Sequence, residues 1–144
     1  MKRRYTLLII IIFFISKAAN AQNWQLLWSE EFNYTGLPDS NKWTNEVGFI
    51  RNNELQYYTD LPQNIKVEGG MLKITAKKEF YMGSEYTSAR ILTKGKFEQK
   101  YGRIEARIKM PWGKGLWPAF WMLGANSDTV IWPQCGEIDI MEYL

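Results

Sequence analysis

The chain has 144 residues, which allows at most one domain of ordinary size, and 18 Lys and Arg against 15 Asp and Glu give it a formal net charge of +3. It contains no histidine and one cysteine, which excludes catalysis by histidine, a cysteine-rich zinc site and an intramolecular disulfide. Carboxylates, amides, arginines, hydroxyls and a large set of aromatic rings (7 Trp, 8 Tyr and 7 Phe) remain for chemistry.

The amino-terminal segment has the three parts of a secretory signal peptide. Basic residues at Lys2–Arg4 precede an apolar run over residues 6–15, and Ala19-Asn20-Ala21 supplies small residues at a cleavage position. The run is about half the roughly 20 apolar residues that a membrane anchor needs, so an anchor is the weaker interpretation. We expect residues 1–21 to be cleaved after Ala21 and the protein to be secreted or periplasmic, without membrane association after cleavage.

The excess of basic residues lies in this leader. Removing it takes away 4 of the 18 basic residues and no acids, which leaves 14 against 15 and a net charge of −1. Neither a nucleic acid nor an anionic membrane surface is then favoured as a partner. A nearly neutral chain that keeps all 7 tryptophans favours a neutral, flat-faced ligand such as a sugar.

Strand signals dominate the rest of the chain, and no stretch has a sustained helical period. Gly69-Gly70 separates two alternating runs, 65–68 and 71–76, which predicts a hairpin with a two-residue turn. Residues 103–110 alternate strictly between apolar and charged side chains, which predicts a half-buried antiparallel strand. The pattern predicts an all-β sandwich or jelly roll. Further strands are predicted at 88–93, 116–123 and 138–143, and more weakly at 24–28.

Three carboxyl groups, those of Glu137, Asp139 and Glu142, lie within six residues near the end of the chain. Glu137 and Asp139 share one face of a strand, whereas Glu142 would point to the opposite face if the strand were regular. One β-bulge near Ile140-Met141 would return Glu142 to the acid face. The two glutamates could then approach the roughly 5–5.5 Å that a retaining glycosidase uses. The alternative is the polar outer face of an ordinary strand.

The run Glu137–Glu142 resembles the E-x-D-x-x-E motif of glycoside hydrolase family 16, in the bulged form of its laminarinase-like members. The resemblance covers essentially all of the chain after the leader, with the family's motifs in the same order. They are the N-E-x-Q-x-Y-T segment at 53–59, the G-x-L-x-I-x-A strand at 70–76, the S-A-R and Y-G-R-I-E-A-R strands at 88–90 and 101–107, and the Trp-rich segments at 115–123 and 132–133.

The resemblance implies a concanavalin-like β-jelly roll, in which two curved sheets form a sugar-binding cleft. It also implies a secreted enzyme that cleaves β-1,3 or mixed β-1,3/1,4 glucans within the chain, with retention of configuration. By motif position, Glu137 is the nucleophile, Glu142 the acid/base and Asp139 the residue that assists them. The reaction needs neither histidine nor metal. We expect a polysaccharide as the partner and a monomer as the working form.

Five further residues are candidate substrate contacts. Trp117 and Trp121 share a face of a strand, which suits an aromatic platform for sugars or core packing, and the resemblance favours the platform. The resemblance places Arg90 in the cleft, donating to sugar hydroxyls or to Glu137, and a solvated strand charge is the alternative. Asn53-Glu54 lies in a loop, where substrate contact and a plain turn both stay open.

Members of this family resemble one another in a structural calcium ion on the convex side of the fold. The resemblance suggests backbone oxygens near Glu31 and Gly70 as ligands, with a further ligand beyond the present sequence. Cys135 has no partner for a disulfide and is expected to be a packed thiol without a catalytic role.

Other interpretations stay open at this level. Trp-rich sandwiches commonly need about 200–250 residues, so we expect residues 22–144 to be an incomplete domain that lacks strands of both sheets. Such a fragment would be inactive and would aggregate through unpaired edges. The same fold serves as a non-catalytic β-glucan lectin in proteins that have lost the acids. Agar, carrageenan or xyloglucan are alternative substrates, because loops set substrate choice.

Overall fold

A computed structural model describes residues 23–50 and 52–143 of the chain. The expected leader at 1–21 lies outside the described residues, so its cleavage stays a prediction. Contacts divide the chain into two units, Met1–Glu30 and Glu31–Leu144, and the strands of the described residues all lie in the second. The weak strand expected at 24–28 is wrong, because that segment takes no place in a sheet ladder.

The described residues confirm the all-β class. None of them is helical, and no helix among them could cross a membrane. β1 pairs with β7, β3 with β4 and β8 with β9, each antiparallel, while β6 lies between a parallel β2 and an antiparallel β5. The strands are β1 (Thr44–Glu46), β2 (Gln56–Tyr58), β3 (Ile65–Val67), β4 (Leu72–Ile74), β5 (Lys77–Tyr81), β6 (Ser84–Ser88), β7 (Arg90–Leu92), β8 (Ala119–Leu123) and β9 (Glu137–Glu142).

The predicted hairpin at 65–76 is confirmed as β3 and β4. The amide of Glu68 donates to the carbonyl of Met71 at 3.0 Å, which closes a turn of two residues. Those residues, Gly69 and Gly70, have φ values of 62° and 71°. A type I′ turn requires positive φ at both central positions, which glycine adopts without steric cost.

The strand predicted over 88–93 is two strands that belong to different sheets. β6 ends at Ser88 beside β2, and β7 begins at Arg90 beside β1. Ala89, which is 7% exposed, lies between them where the chain passes from one sheet to the next. A strand that changes sheets in this way forms a corner of a layered β structure. The change brings Arg90 beside β1 rather than β2.

The alternating segment at 103–110 forms no strand, so that prediction is wrong. None of the strands in the described residues pairs with it, and Ile104 and Ile108 are 40% and 42% exposed. A strand is held by hydrogen bonds between its backbone and a neighbouring backbone. Alternation of side chains predicts which face would be buried, but it does not supply that neighbour.

β8 begins later than predicted, at Ala119. Pro118 has no backbone N–H with which to join a ladder, so the strand starts after it. The carbonyl of Pro118 still accepts a hydrogen bond from the amide of Tyr143 at 3.2 Å, just beyond the paired residues of β9. The pairing of β8 with β9 is therefore held at the carboxyl end of β9 as well.

A buried asparagine connects the strands around the core. Asn64, which is fully buried, donates from Nδ2 to Thr87 Oγ1 at 2.9 Å and to the carbonyl of Thr75 at 3.0 Å, and its Oδ1 accepts from Thr59 Oγ1 at 2.6 Å. Thr87 donates in turn to Glu79 at 2.6 Å. These bonds, the Asn64 network, join the start of β3 to β5, to β6 and to the end of β4.

We expect Asn64→Ala to lower the free energy of unfolding of the full-length protein by about 3 kcal/mol, because the substitution leaves several buried polar groups without partners. Asn41→Ala is the matched control, since Asn41 is exposed and its side chain donates to Asp39 Oδ1 at 3.0 Å on the surface. Urea unfolding followed by tryptophan fluorescence measures both variants. Equal losses in the two variants would contradict the role of the Asn64 network.

Candidate active site

The pairing of β9 with β8 contains one irregularity. Asp139 lies opposite Trp121, whereas the next pair joins Met141 to Phe120, so Ile140 is an extra residue on β9. An extra residue on one strand of an antiparallel pair is a β-bulge. The bulge predicted near Ile140-Met141 is therefore confirmed.

The bulge brings all three acids to one face of the pair. Directly opposite residues of an antiparallel pair share a face, and so do residues two apart along a regular strand. The side chains of all three acids are exposed, so a ligand can reach this surface, which we call the acid face. The partners of the acids are every second residue of β8, with Leu123, Trp121 and Ala119 opposite Glu137, Asp139 and Glu142.

The indole of Trp117 is bonded to the third acid. Its Nε1 donates a hydrogen bond to Glu142 Oε1 at 2.8 Å, and the side chain is 59% exposed. The described residues therefore do not pack Trp117 into a core. A hydrogen bond to a carboxylate is charge-assisted and restrains its orientation. Trp117 can therefore restrain Glu142 through its indole N–H while its ring stays accessible to a sugar.

Arg90 is held between strands and is not a solvated strand charge. Its side chain is 17% exposed, and its Nε lies 2.7 Å from Oε2 of Glu46, the residue directly opposite on β1. Its Cζ lies 4.8 Å from the centre of the Trp121 ring, a cation–π arrangement. The structure therefore brings Arg90 to the acid face, where its contacts are with Glu46 and Trp121.

Asn53 lies in a different concavity. Asn52 and Asn53 have φ values of 59° and 54°, left-handed conformations that asparagine tolerates, so the chain turns sharply before β2. Together with Phe49, Ile50 and Glu54 they line an open concavity of about 460 Å³. None of the three acids of β9 lies in its wall. Asn53 therefore lines a concavity that does not include the acid face.

A hydrogen-bonded group near Arg90 joins Glu54, which the sequence singled out, to Gln56 and Tyr58, which it did not. Glu54 Oε2 accepts from Tyr58 Oη at 2.5 Å and from Gln56 Nε2 at 2.7 Å. Burial, reinforced by Glu54 and opposed by Gln56 and Arg90, raises the pKa of Tyr58 to about 12. Tyr58 is therefore protonated near neutral pH and donates to Glu54. Gln56 and Tyr58 are two apart and share one face of β2, whereas Glu54 lies two residues before the strand. This regular spacing was the available signal.

A close backbone contact fixes the entry into β9. The amide of Gly124 donates to the carbonyl of Gly136 at 3.0 Å, and a Cβ at Gly124 would lie 1.9 Å from the carbonyl oxygen of Cys135. Only glycine fits there, so the end of β8 is held directly against the residues that precede Glu137. Cys135 itself is a half-buried free thiol.

No cluster of side chains among the described residues supports the predicted calcium site. Within residues 23–50 and 52–143 there is no group of three or more His, Cys, Asp or Glu side chains that could hold a metal ion. Glu31 and Gly70 are both exposed, and Gly70 lies in the turn between β3 and β4. Calcium also accepts backbone oxygens as ligands, so its binding near these two residues stays a prediction.

Comparison with known proteins identifies one family. The family model described as "XgeA-like, catalytic GH16 domain" matches residues 45–144, where GH16 stands for glycoside hydrolase family 16. The chain is 49% identical over 133 residues to a protein of Rhodothermus marinus named "Beta-glucanase", with coverage of 89% of this chain and 46% of that protein.

Solved structures give the same result. The laminarinase from Rhodothermus marinus matches with a TM-score of 0.81 and 50% identity, over 85% of this chain and 51% of that one. The laminarinase from Flavobacterium sp. UMI-01 matches with a TM-score of 0.75 and 55% identity, over 83% and 52% of the two chains. These similarities confirm the jelly-roll prediction. The present chain spans about half the length of the relatives it matches.

We expect Gly124→Ala to lower the free energy of unfolding by about 3 kcal/mol, because the backbone at Cys135 must move to admit a methyl group. Gly95→Ala is the control, since Gly95 has a φ of 71° but open space around it, and backbone strain alone costs about 1–2 kcal/mol there. Denaturant unfolding of the full-length variants measures both losses, and the loss should be larger in Gly124→Ala. A smaller loss in Gly124→Ala than in Gly95→Ala would contradict the close contact.

Proposed function

The chain belongs to glycoside hydrolase family 16, and we propose on that basis that the whole protein is a retaining, endo-acting hydrolase of β-1,3 or mixed β-1,3/1,4 glucans. The observation that carries the proposal is the bulged β8–β9 pair, which gathers Glu137, Asp139 and Glu142 on one exposed face. The names of the relatives, a β-glucanase and two laminarinases, support the choice of substrate class.

Two carboxyl groups perform the proposed reaction in two steps. In the first, the carboxylate of Glu137 attacks the anomeric carbon and forms an ester, while Glu142 gives its proton to the departing glycosidic oxygen. In the second, ionised Glu142 takes a proton from water, and the water oxygen attacks the anomeric carbon and breaks the ester. Both glutamates return to their starting states, and two successive inversions at the anomeric carbon give net retention.

The neighbouring side chains orient these two groups in the proposal. Asp139 lies between the glutamates on the acid face, and the family resemblance assigns it to hydrogen-bond Glu137. Trp117 restrains Glu142 through its indole N–H during both proton transfers. Trp121 lies opposite Asp139 and offers its ring to a sugar bound beside the acids.

The proposal also includes the setting of the reaction. The signal-peptide pattern at 1–21 supports secretion or a periplasmic location, and the partner is a polysaccharide that a monomer can process. A calcium ion near Glu31 and Gly70 would stabilise the fold, and no step of the reaction uses it. A non-catalytic glucan-binding module is the rival function, and the presence of all three acids on one face argues against it.

Glu137→Gln in the full-length protein should lower the hydrolysis of laminarin by about 10⁴-fold or more, because an amide cannot act as the nucleophile. Laminarin binding should persist, since the rest of the acid face is unchanged. Reducing-sugar release from laminarin, lichenan and agarose measures activity, and calorimetry measures binding. Glu85→Gln, in an exposed acid of β6, should behave as wild type.

Substantial turnover by Glu137→Gln would contradict the role of this residue. Release of sugar from agarose alone would replace the β-glucan assignment with an agar-degrading one. Binding of laminarin without hydrolysis of any of the three substrates by the wild type would favour the glucan-binding module.

Trp117→Phe should lower kcat about 10-fold and change KM by less than about 3-fold. It keeps an aromatic ring but removes a charge-assisted hydrogen bond of about 1.5–3 kcal/mol to Glu142, and 1.4 kcal/mol corresponds to a factor of ten in rate. Trp112→Phe is the matched control, because Trp112 is 92% exposed and lies in a loop. A higher KM at unchanged kcat would instead show that Trp117 acts only as a platform.

A further inference from the structure

The ion pair between Glu46 and Arg90 differs from the others in its burial. Its side chains are 22% and 17% exposed, whereas the side chains of the ion pairs made by Glu68, Glu79, Asp128 and Glu105 are all at least 28% exposed. Burying two charges costs desolvation energy that their attraction only roughly repays. A pair of this kind therefore adds little to stability. Its role is better explained by where it holds the Arg90 side chain.

The backbone itself fixes this pair. Glu46 and Arg90 are directly opposite in the antiparallel β1–β7 register, so their side chains leave the sheet on the same face. Glu46 Oε2 is 2.7 Å from Arg90 Nε, which leaves the two terminal amino groups of the guanidinium for other partners. The ion pair thus restrains the guanidinium beside the carboxylate.

The restrained guanidinium of Arg90 reaches the acid face. The Cζ of Arg90 lies 4.8 Å from the centre of the Trp121 ring, so the guanidinium covers one face of this indole. Only the opposite face of the ring is then open to a sugar. Because Trp121 lies directly opposite Asp139, the tilt of its ring affects where a stacked sugar sits relative to the acids.

We propose that Glu46 is a positioning residue of the substrate site. It holds the Arg90 guanidinium against one face of Trp121, and so fixes the plane on which the sugar next to the acids stacks. The inference deepens the proposed hydrolase function and rests on it. Glu46 itself does not touch the sugar or the reacting atoms, so its loss affects substrate binding more than the chemical step.

The test compares KM and kcat on laminari-oligosaccharides for variants of the full-length protein. Glu46→Gln should raise KM about 10-fold, which corresponds to a loss of one factor of ten in affinity, and should change kcat by less than about 3-fold. Glu46→Asp keeps the charge and should lose less than Glu46→Gln. Arg90→Lys keeps the cation but lacks the planar fork, so it should raise KM as Glu46→Gln does.

Glu68→Gln is the matched control. Glu68 pairs with Lys66 and Lys73 at 3.0 and 2.8 Å on the β3–β4 hairpin, and its side chain is 47% exposed. The control should keep the wild-type KM. Intrinsic tryptophan emission, to which all 7 tryptophans contribute, should shift in Glu46→Gln and Arg90→Lys but not in Glu68→Gln.

The outcomes separate the two proposals. A wild type that hydrolyses no β-glucan refutes the proposed function, and the positioning role with it. An active wild type whose KM is matched by a folded Glu46→Gln refutes the positioning role alone. If Glu46→Gln does not fold, Glu46→Asp and Arg90→Lys decide, and a wild-type KM in Arg90→Lys overturns the inference.

Discussion

The extra residue at Ile140 in β9 is the constraint on which the proposed chemistry depends. In a regular strand, Glu142 would face away from Glu137, since an odd spacing changes the face. The bulge corrects the face, and backbone hydrogen bonds on either side of it fix its position. Gly124 bonds Gly136 before the strand, and Tyr143 bonds Pro118 after it. With the pairing fixed at both ends, the irregularity cannot slide along β9, and the three acids stay on one face.

The acid face is supported by a second pair of strands. The chain leaves one sheet at Ser88 and enters another at Arg90, and this corner at Ala89 delivers an arginine to the side of Trp121. The Asn64 network holds β6, the strand that precedes the corner, through bonds from fully buried groups. Stability and function are thus carried by adjacent stretches of the same chain. Before the corner at Ala89, the buried side chains of Asn64 and Thr87 hold the strands together. After it, the Glu46–Arg90 ion pair orients the site.

Features with a local cause could be predicted from the sequence. The Gly69-Gly70 hairpin depends on two adjacent glycines, and the bulge near Ile140 follows from the spacing of three acids on a single strand. The roles of those acids came from the family resemblance and not from the spacing. The segment at 103–110 and the Glu46–Arg90 pair were not predictable, because each depends on which distant strand lies alongside. Asn64 has the local pattern of a turn residue, and its burial arises from segments far along the chain.

The stereochemistry of the first product tests the account most directly. Proton NMR of laminari-oligosaccharide hydrolysis by the full-length protein records which anomer forms before mutarotation. Retention requires two carboxyl groups about 5–5.5 Å apart. Because both glutamates lie on one face, we predict that the β-anomer appears first. Initial release of the α-anomer would mean inversion, which needs carboxyl groups about 6.5–9.5 Å apart with a water between them, and would contradict the arrangement that the bulge creates.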